Sequence, residues 1–346
     1  MPTIEELRAL QAMPLEQKLL ITNARIDEWV AKNGGTDSVY ISFSGGKDST
    51  VLLHLVRQRY PDIEAVFCDT GLEFPEIKQF VKTFDNVTIL RPKMNFRDVI
   101  VKYGYPIISK SVSNCIYEVQ NGKCKKTSVR YKRFIGEYKR PNGEKSLFNV
   151  SKWRDIVKCD FIISDRCCRV MKKSPIHSYE RKTNKLSFVG QLAEESLQRR
   201  AVWLKNGCNA FNAASPKSNP LSFWTEQDIL KYIKINNIKI ASVYGSIEVK
   251  NEQICFDGFD VILKQKLHCT GCDRTGCVFC GFGAHLERGE TRYQRLHRTH
   301  PKLYDYCIHG GEYNDDGIWI PSKSGLGFGH VFDELNKIYG EDFIRY

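Results

Sequence analysis

The chain has 346 residues, 42% hydrophobic and 12% aromatic, which excludes a disordered protein and allows one large core or two modest ones. Its net charge of +12 is concentrated, since residues 101–160 hold 14 Lys and Arg against 5 Asp and Glu and so carry +9 of the total. No apolar run reaches the roughly 18 residues of a membrane span, and Met1-Pro2-Thr3-Ile4-Glu5-Glu6 has no secretory pattern, so a cytoplasmic protein without a membrane partner is expected.

In chain order, residues 14–32 read as a helix: Pro14 suits a first turn, Leu15, Leu19, Ile26 and Val30 share a face, and Asn33-Gly34-Gly35 ends it. Residues 38–43 form a β-rich run that leads into Ser44-Gly45-Gly46-Lys47-Asp48-Ser49. A helix follows at 49–59, a strand at 63–68, a helix at 75–84 and a strand at 87–90. This alternation predicts an α/β fold whose parallel sheet is covered by helices. Residues 109–160 break the rhythm and read as a basic insertion with Tyr117, Tyr131, Phe134, Tyr138 and Trp153 interleaved. A strand at 187–190 and a helix at 225–235 resume the α/β pattern. The expected organisation is an N-terminal helical segment (1–35), a nucleotide-binding α/β domain (36–248) and a Cys-rich, mainly helical module (249–346).

A glycine turn between a buried strand and a helix brings backbone N–H groups close to phosphate oxygens, and the helix N-terminus adds partial positive charge. Gly45 and Gly46 remove obstructing Cβ atoms, Ser44 and Ser49 supply hydroxyls, and Lys47 supplies a cation. Asp48 orients the loop or helps to hold Mg²⁺. The spacing differs from the Walker loop, which needs four residues between its glycines.

Thirteen cysteines are many for a reducing compartment, and they cluster. Cys272-x₄-Cys277-x₂-Cys280 has a spacing used for iron–sulfur ligation, with a fourth thiolate from Cys168 or its neighbour Cys167. The rival is zinc held by Cys269, Cys272, Cys277 and Cys280. The remaining cysteines at 68, 115, 124, 159, 208 and 255 read as small core residues. His285, His297, His300 and His309 lie among arginines and read as a basic helix face.

Ser44-Gly45-Gly46-Lys47-Asp48-Ser49 resembles the signature of the PP-loop ATP pyrophosphatases, and Asp69-Thr70-Gly71-Leu72-Glu73-Phe74-Pro75-Glu76 looks like a motif of the phosphoadenosine phosphosulfate reductase family. Cys167-Cys168 with Lys172, Lys173 and Pro175 follow in the same order, as do Gly190 with Glu195-Ser196 and Arg199, and Asn219-Pro220-Leu221 with Trp224-Thr225 and Asp228. The resemblance spans residues 36–285. It implies an adenine nucleotide α-hydrolase-like fold, with Asp69, Thr70 and Gly71 near the adenosine and Gly190, Glu195, Ser196 and Arg199 around the nucleotide. Lys47, Asp48, Asp69 and Arg199 would be the catalytic group, and a [4Fe–4S] cluster would complete the cofactors.

Two departures bear on the chemistry. The phosphate loop is complete, and the reductase string Glu-Cys-Gly-Ile/Leu-His is absent, its nearest counterpart being Asp305-Tyr306-Cys307-Ile308-His309. These favour cleavage of ATP to AMP and pyrophosphate with adenylation of a substrate and sulfur transfer, a sulfur donor or reductant protein assisting. A thiol-dependent sulfonucleotide reductase and a non-catalytic nucleotide sensor remain open. The basic insertion points to a nucleic-acid acceptor, or else simply closes over the nucleotide.

Overall fold

A computed structural model describes residues 2–255 and 261–346, with side chains described outside 252–264; the Cys255 side chain therefore lies outside the described residues. The chain begins with α1 (Ile4–Ala12), α2 (Leu15–Lys32), β1 (Val39–Ser42), α3 (Lys47–Arg59), β2 (Ala65–Cys68), α4 (Pro75–Val81) and β3 (Val87–Leu90). It continues through α5 (Phe96–Tyr103), β4 (Ile107–Ile108), α6 (Lys110–Gln120), α7 (Val129–Ile135), α8 (Arg166–Cys168), α9 (Ser174–Thr183) and β5 (Leu186–Val189). Then come α10 (Leu197–Asn206), β6 (Asn209–Ala210), β7 (Lys217–Ser218), α11 (Glu226–Ile235), β8 (Ile247–Cys255) and β9 (Val261–Cys269). The last elements are β10 (Gly281–Phe282), α12 (Arg292–Thr299), α13 (Pro301–Ile308), β11 (Glu312–Tyr313), β12 (Trp319–Ile320) and α14 (Phe328–Tyr339).

The chain divides into two compact units: Met1–Asp69, Glu73–Arg91 and Ile176–Thr275 form one, and Thr70–Leu72, Pro92–Pro175 and Gly276–Tyr346 the other. The expected boundaries at 35/36 and 248/249 do not coincide with this division. The N-terminal helices belong with the sheet because Trp29, fully buried on α2, packs edge-on against Phe188 of β5 at 6.5 Å. Lys18, buried on the same helix, pairs with Asp228 at 2.5 Å, and Trp224 Nε1 donates to Thr22 Oγ1 at 2.9 Å. Residues 249–255 and 261–269, expected within the mainly helical module, lie instead in the antiparallel pair β8 and β9.

The first unit contains the six-stranded sheet, in the order β3-β2-β1-β5-β7-β6. All neighbours are parallel except β6 and β7. Val39, Tyr40 and Ile41 on β1 are completely buried, as a strand covered on both faces requires. The chain steps outward from β1 to β2 and β3 on one side, whereas β5 lies on the other. The carboxyl end of β1 is therefore the point where strand order reverses, the usual place for a ligand crevice in such sheets.

The second unit has a small core in which Tyr105 meets Phe161 and Phe328, and Phe328 meets Phe332. Two short parallel strands, β4 and β10, hold residues 107–108 beside 281–282. The predicted insertion 109–160 lies in this unit as α6, α7 and a hairpin closed by a bridge between Lys139 and Lys145.

Candidate functional site

In the first unit, the loop after β1 turns into α3 through Gly45, whose φ is +71°. A Cβ there would come within 2.8 Å of Ile77 Cγ2, so a side chain is excluded on conformational and steric grounds. Ser44 and Ser49 brace the turn. Their hydroxyls lie 3.0 Å apart, Ser44 N–H donates to Ser49 Oγ, and Gly46 N–H donates to Ser44 Oγ. Gly46 caps α3 with no side-chain bond to its open N–H groups. The Lys47 amide donates to the Tyr244 hydroxyl at 3.1 Å, whereas the Asp48 and Ser49 amides have no partner among the described residues. Two open amides at the start of a 13-residue helix form an anion seat.

Charge around this seat is balanced. The Lys47 ammonium donates to the Asp273 carbonyl at 2.6 Å and pairs with Glu226 at 3.0 Å. Burial works against its charge, but Asp48 and Glu226 leave it above the ordinary lysine value. Burial raises the Asp48 carboxyl, with Lys47, Arg274 and Arg199 opposing, and Asp48 Oδ1 is buried without a hydrogen-bond partner. Arg199 is lowered by burial and by Arg274, and its guanidinium pairs with Glu195.

The other expected nucleotide residues separate into two kinds. Asp69 follows β2 and Gly190 follows β5, so both lie at the same carboxyl edge as the loop. Asp69 pairs with Lys78 at 2.8 Å. A Cβ on Gly190 would stand 3.1 Å from the Asp48 carbonyl oxygen, so this glycine lets β5 approach the loop. Ser196 is the N-cap of α10, and Glu195 accepts from the Leu192 amide, so both shape the backbone that carries Arg199. Thr70 and Gly71 are grouped with the second unit, where Thr70 Oγ1 accepts from the Leu72 amide. Thr225 and Asp228 form a capping box on α11, which fixes the helix turn bearing Glu226. Sequence reasoning missed Glu226, Tyr244 and Asp273. Glu226 adjoins Trp224-Thr225 in the last of the collinear motifs, but nothing local marks Tyr244 or Asp273.

In the second unit, Cys167, Cys168, Cys277 and Cys280 line one cavity of about 310 Å³ of atom-free space, its open mouth included, together with Phe96 and Lys172. Gly281 permits this arrangement, since a Cβ there would lie 2.8 Å from the Pro106 carbonyl and push β10 from β4. Cys167 and Cys168 end α8 where it opens into a π-helical turn, Arg169–Lys173, a rare form often found at functional sites. Of the expected thiolates, Cys168, Cys277 and Cys280 line this cavity together with Cys167, the alternative to Cys168 in the sequence reading. Cys272 belongs with Cys269 to the first unit, where its amide donates to the Val243 carbonyl at 2.9 Å.

The Cys168 thiol is lowered by a hydrogen bond from Cys167 and by the cations of Lys110 and Lys172. Cys167 is raised correspondingly, and burial pushes Cys280 up to about 11. Among the described residues, no three His, Cys, Asp or Glu side chains converge as a single metal ion requires. All twelve described cysteines are free, and Cys307, the nearest counterpart of a reductase nucleophile, is completely buried on α13.

A model of the phosphoadenosine phosphosulfate reductase domain matches residues 38–113 and 123–281. An adenosine 5′-phosphosulfate reductase of Geobacillus kaustophilus is 26% identical over 207 residues, 59% of this chain and 66% of that protein. A phosphoadenosine 5′-phosphosulfate reductase of Klebsiella pneumoniae is 36% identical over 90 residues, 23% of this chain and 36% of its own. An uncharacterised protein of Methanocaldococcus jannaschii is 37% identical over 108 residues, 30% of this chain and 24% of its own. The chain thus spans between 24% and 66% of the length of these relatives. The solved phosphoadenylyl-sulfate reductase of Candida auris, a phosphate complex, aligns with 13% identity over 72% of this chain and 96% of that one, at a TM-score of 0.36.

Proposed function

The chain belongs to the phosphoadenosine phosphosulfate reductase family, and we propose that it is a sulfonucleotide reductase, cleaving an adenylyl phosphosulfate at the expense of two thiols. The observation that carries this reading is the charge at the loop. Glu226 and the Asp273 carbonyl already engage Lys47, which leaves a seat better suited to a phosphosulfate bridge, with one negative charge on its phosphate and one on its sulfate, than to the more highly charged chain of a triphosphate. The two open amides of α3 would take the phosphate oxygens, and Arg199 would approach from α10.

In the reaction, a thiolate sulfur attacks the sulfate sulfur, and the bond from that sulfur to the bridging oxygen breaks. AMP, or its 3′-phosphorylated form, then leaves. A second thiolate attacks the first thiol sulfur, a disulfide forms and sulfite is released with the bonding pair. Cys307 is too deeply buried to be the attacking group, so the dithiol is supplied by a separate reductant.

The cavity of Cys167, Cys168, Cys277 and Cys280 suits a [4Fe–4S] cluster in donor type and number. When bound, such a cluster supplies a redox centre whose potential follows its burial and hydrogen bonds. The chain contributes Lys110 and Lys172, cations facing Cys168 that favour its thiolate form.

One observation favours a second reading, cleavage of ATP to AMP and pyrophosphate with transfer to an acceptor. The loop is complete from Ser44 to Ser49, and the unpartnered Asp48 Oδ1 could receive a Mg²⁺ that accompanies ATP. Anaerobic incubation with adenosine 5′-phosphosulfate and a dithiol, in parallel with ATP, separates the two. Sulfite and AMP from the first arm support the reductase, whereas pyrophosphate from the second without sulfite from the first rejects it.

A further inference from the structure

Residues 121–148 hold nine Lys and Arg against two Asp and Glu. A charged surface of a soluble protein ordinarily interleaves both signs, and its ion pairs contribute little. Here Arg130 reaches Glu118 at 3.7 Å and Arg140 reaches Glu144 at 3.8 Å. Lys123, Lys125, Lys126, Lys132, Lys139 and Lys145 are all exposed, and none has an ion pair among the described residues.

Two of these lysines are held together by the backbone. Lys139 and Lys145 are antiparallel bridge partners, which sets like charges directly opposite each other on one face. Such a pair is destabilising by itself and is relieved by an anion placed between the two ammonium groups. A second observation indicates what kind of anion. Phe148 keeps 65% of its surface exposed, with the Arg133 guanidinium 5.8 Å from its ring and Arg133 Nε donating to the Phe148 carbonyl at 2.7 Å. Leu147 beside it is 85% exposed. An aromatic face fixed beside cations offers a base both a stacking partner and a place for its phosphate.

We infer that this segment is a docking surface for single-stranded nucleic acid. A duplex hides its base faces and would leave Phe148 without a role. An anionic bilayer would need the continuous apolar face of an amphipathic helix, but Val129 and Ile135, the exposed aliphatic residues of α7, are six positions apart and so point about 120° away from each other, and Leu147 and Phe148 lie in a turn outside any helix.

The test is fluorescence anisotropy of the full chain with a labelled oligothymidylate of about 20 nucleotides at roughly 50 and 200 mM salt. Duplex DNA and phosphatidylserine vesicles provide the comparison arms. The single strand should bind best, and its affinity should fall steeply with salt. The double variant Lys139→Gln/Lys145→Gln should reduce the logarithmic salt slope by about 1.4, since each phosphate that a lysine neutralises on a single strand adds ~0.7 to it. Phe148→Ala should weaken binding by at least ~5-fold without changing that slope. Lys47→Ala should bind the oligonucleotide as wild type does. The inference is overturned by absent binding, by variants that bind unchanged, by preference for duplex or vesicles, or by loss of binding in Lys47→Ala, which would put the strand in the nucleotide loop.

Discussion

The phosphate loop and the thiol cavity are built in opposite ways. The loop is six consecutive residues on a turn that the sheet presents at its point of strand reversal, and its chemistry is mostly backbone amides and one lysine. The cavity collects two adjacent cysteines and a second pair more than a hundred residues later, and it exists because Gly281 allows β10 to approach Pro106. A local motif therefore names the loop's own six residues, though not Tyr244, Asp273 and Glu226, which reach Lys47 from elsewhere in the chain. The cavity is identified only as a composition until the chain is folded, because spacing cannot say which distant cysteine is the fourth.

The largest expected effect tests that difference. Anaerobically prepared wild type should contain about four iron atoms per chain, and Cys277→Ser or Cys280→Ser should lose them. Cys167→Ser should behave in the same way, whereas Cys272→Ser should keep its iron. Iron analysis that shows loss in Cys272→Ser and retention in Cys167→Ser would restore the ligand set expected from spacing.

On the loop, Lys47→Ala should lower kcat/KM for the phosphosulfate by roughly 10- to 100-fold, the value of one charge-assisted hydrogen bond to an anion. Circular dichroism should show an unchanged fold. Turnover at the wild-type rate would mean that the anion does not lie at the start of α3.

Gly45→Ala should act on stability as well as on turnover. Its φ of +71° and the 2.8 Å approach to Ile77 Cγ2 together imply a cost of about 1–3 kcal/mol, readable as a lower midpoint in urea. An unchanged midpoint would show that the turn relaxes freely.

The smallest effect concerns Asp48. Burial raises its carboxyl above the ordinary 3.8, so in the ionised form the group destabilises the fold at neutral pH. That destabilisation disappears as pH falls through the raised value. Asp48→Asn should therefore raise Tm by about 2 °C at pH 7, less so at acidic pH, while slowing turnover. A lower Tm at pH 7 would show that its charge is stabilised by Arg199 and Arg274 instead.

Much of the sheet was legible because β1 to β3 are short apolar runs bounded by turn residues and separated by helical periodicity. The pair of β8 and β9 was not, since the abundance of Cys, His and Arg nearby obscured the alternation in Ile247-Glu248-Val249-Lys250. The motif from Trp224 to Asp228 was visible, but its structural work was hidden. It caps α11, anchors α2 through Lys18 and brings Glu226 to Lys47. Tyr244 and Asp273 reach Lys47 from 197 and 226 positions away, and no local pattern announces such convergence.

The balance of charge at Lys47 is the feature on which the choice of substrate rests. Equilibrium binding of adenosine 5′-phosphosulfate and ATP to wild type and to Glu226→Gln measures it directly. Wild type should bind the phosphosulfate more tightly, and Glu226→Gln, by freeing the lysine from its carboxylate, should shift the preference toward ATP. Tighter binding of ATP by wild type, with a ratio that Glu226→Gln leaves unchanged, would show that the pairing of Lys47 with Glu226 does not select the phosphosulfate.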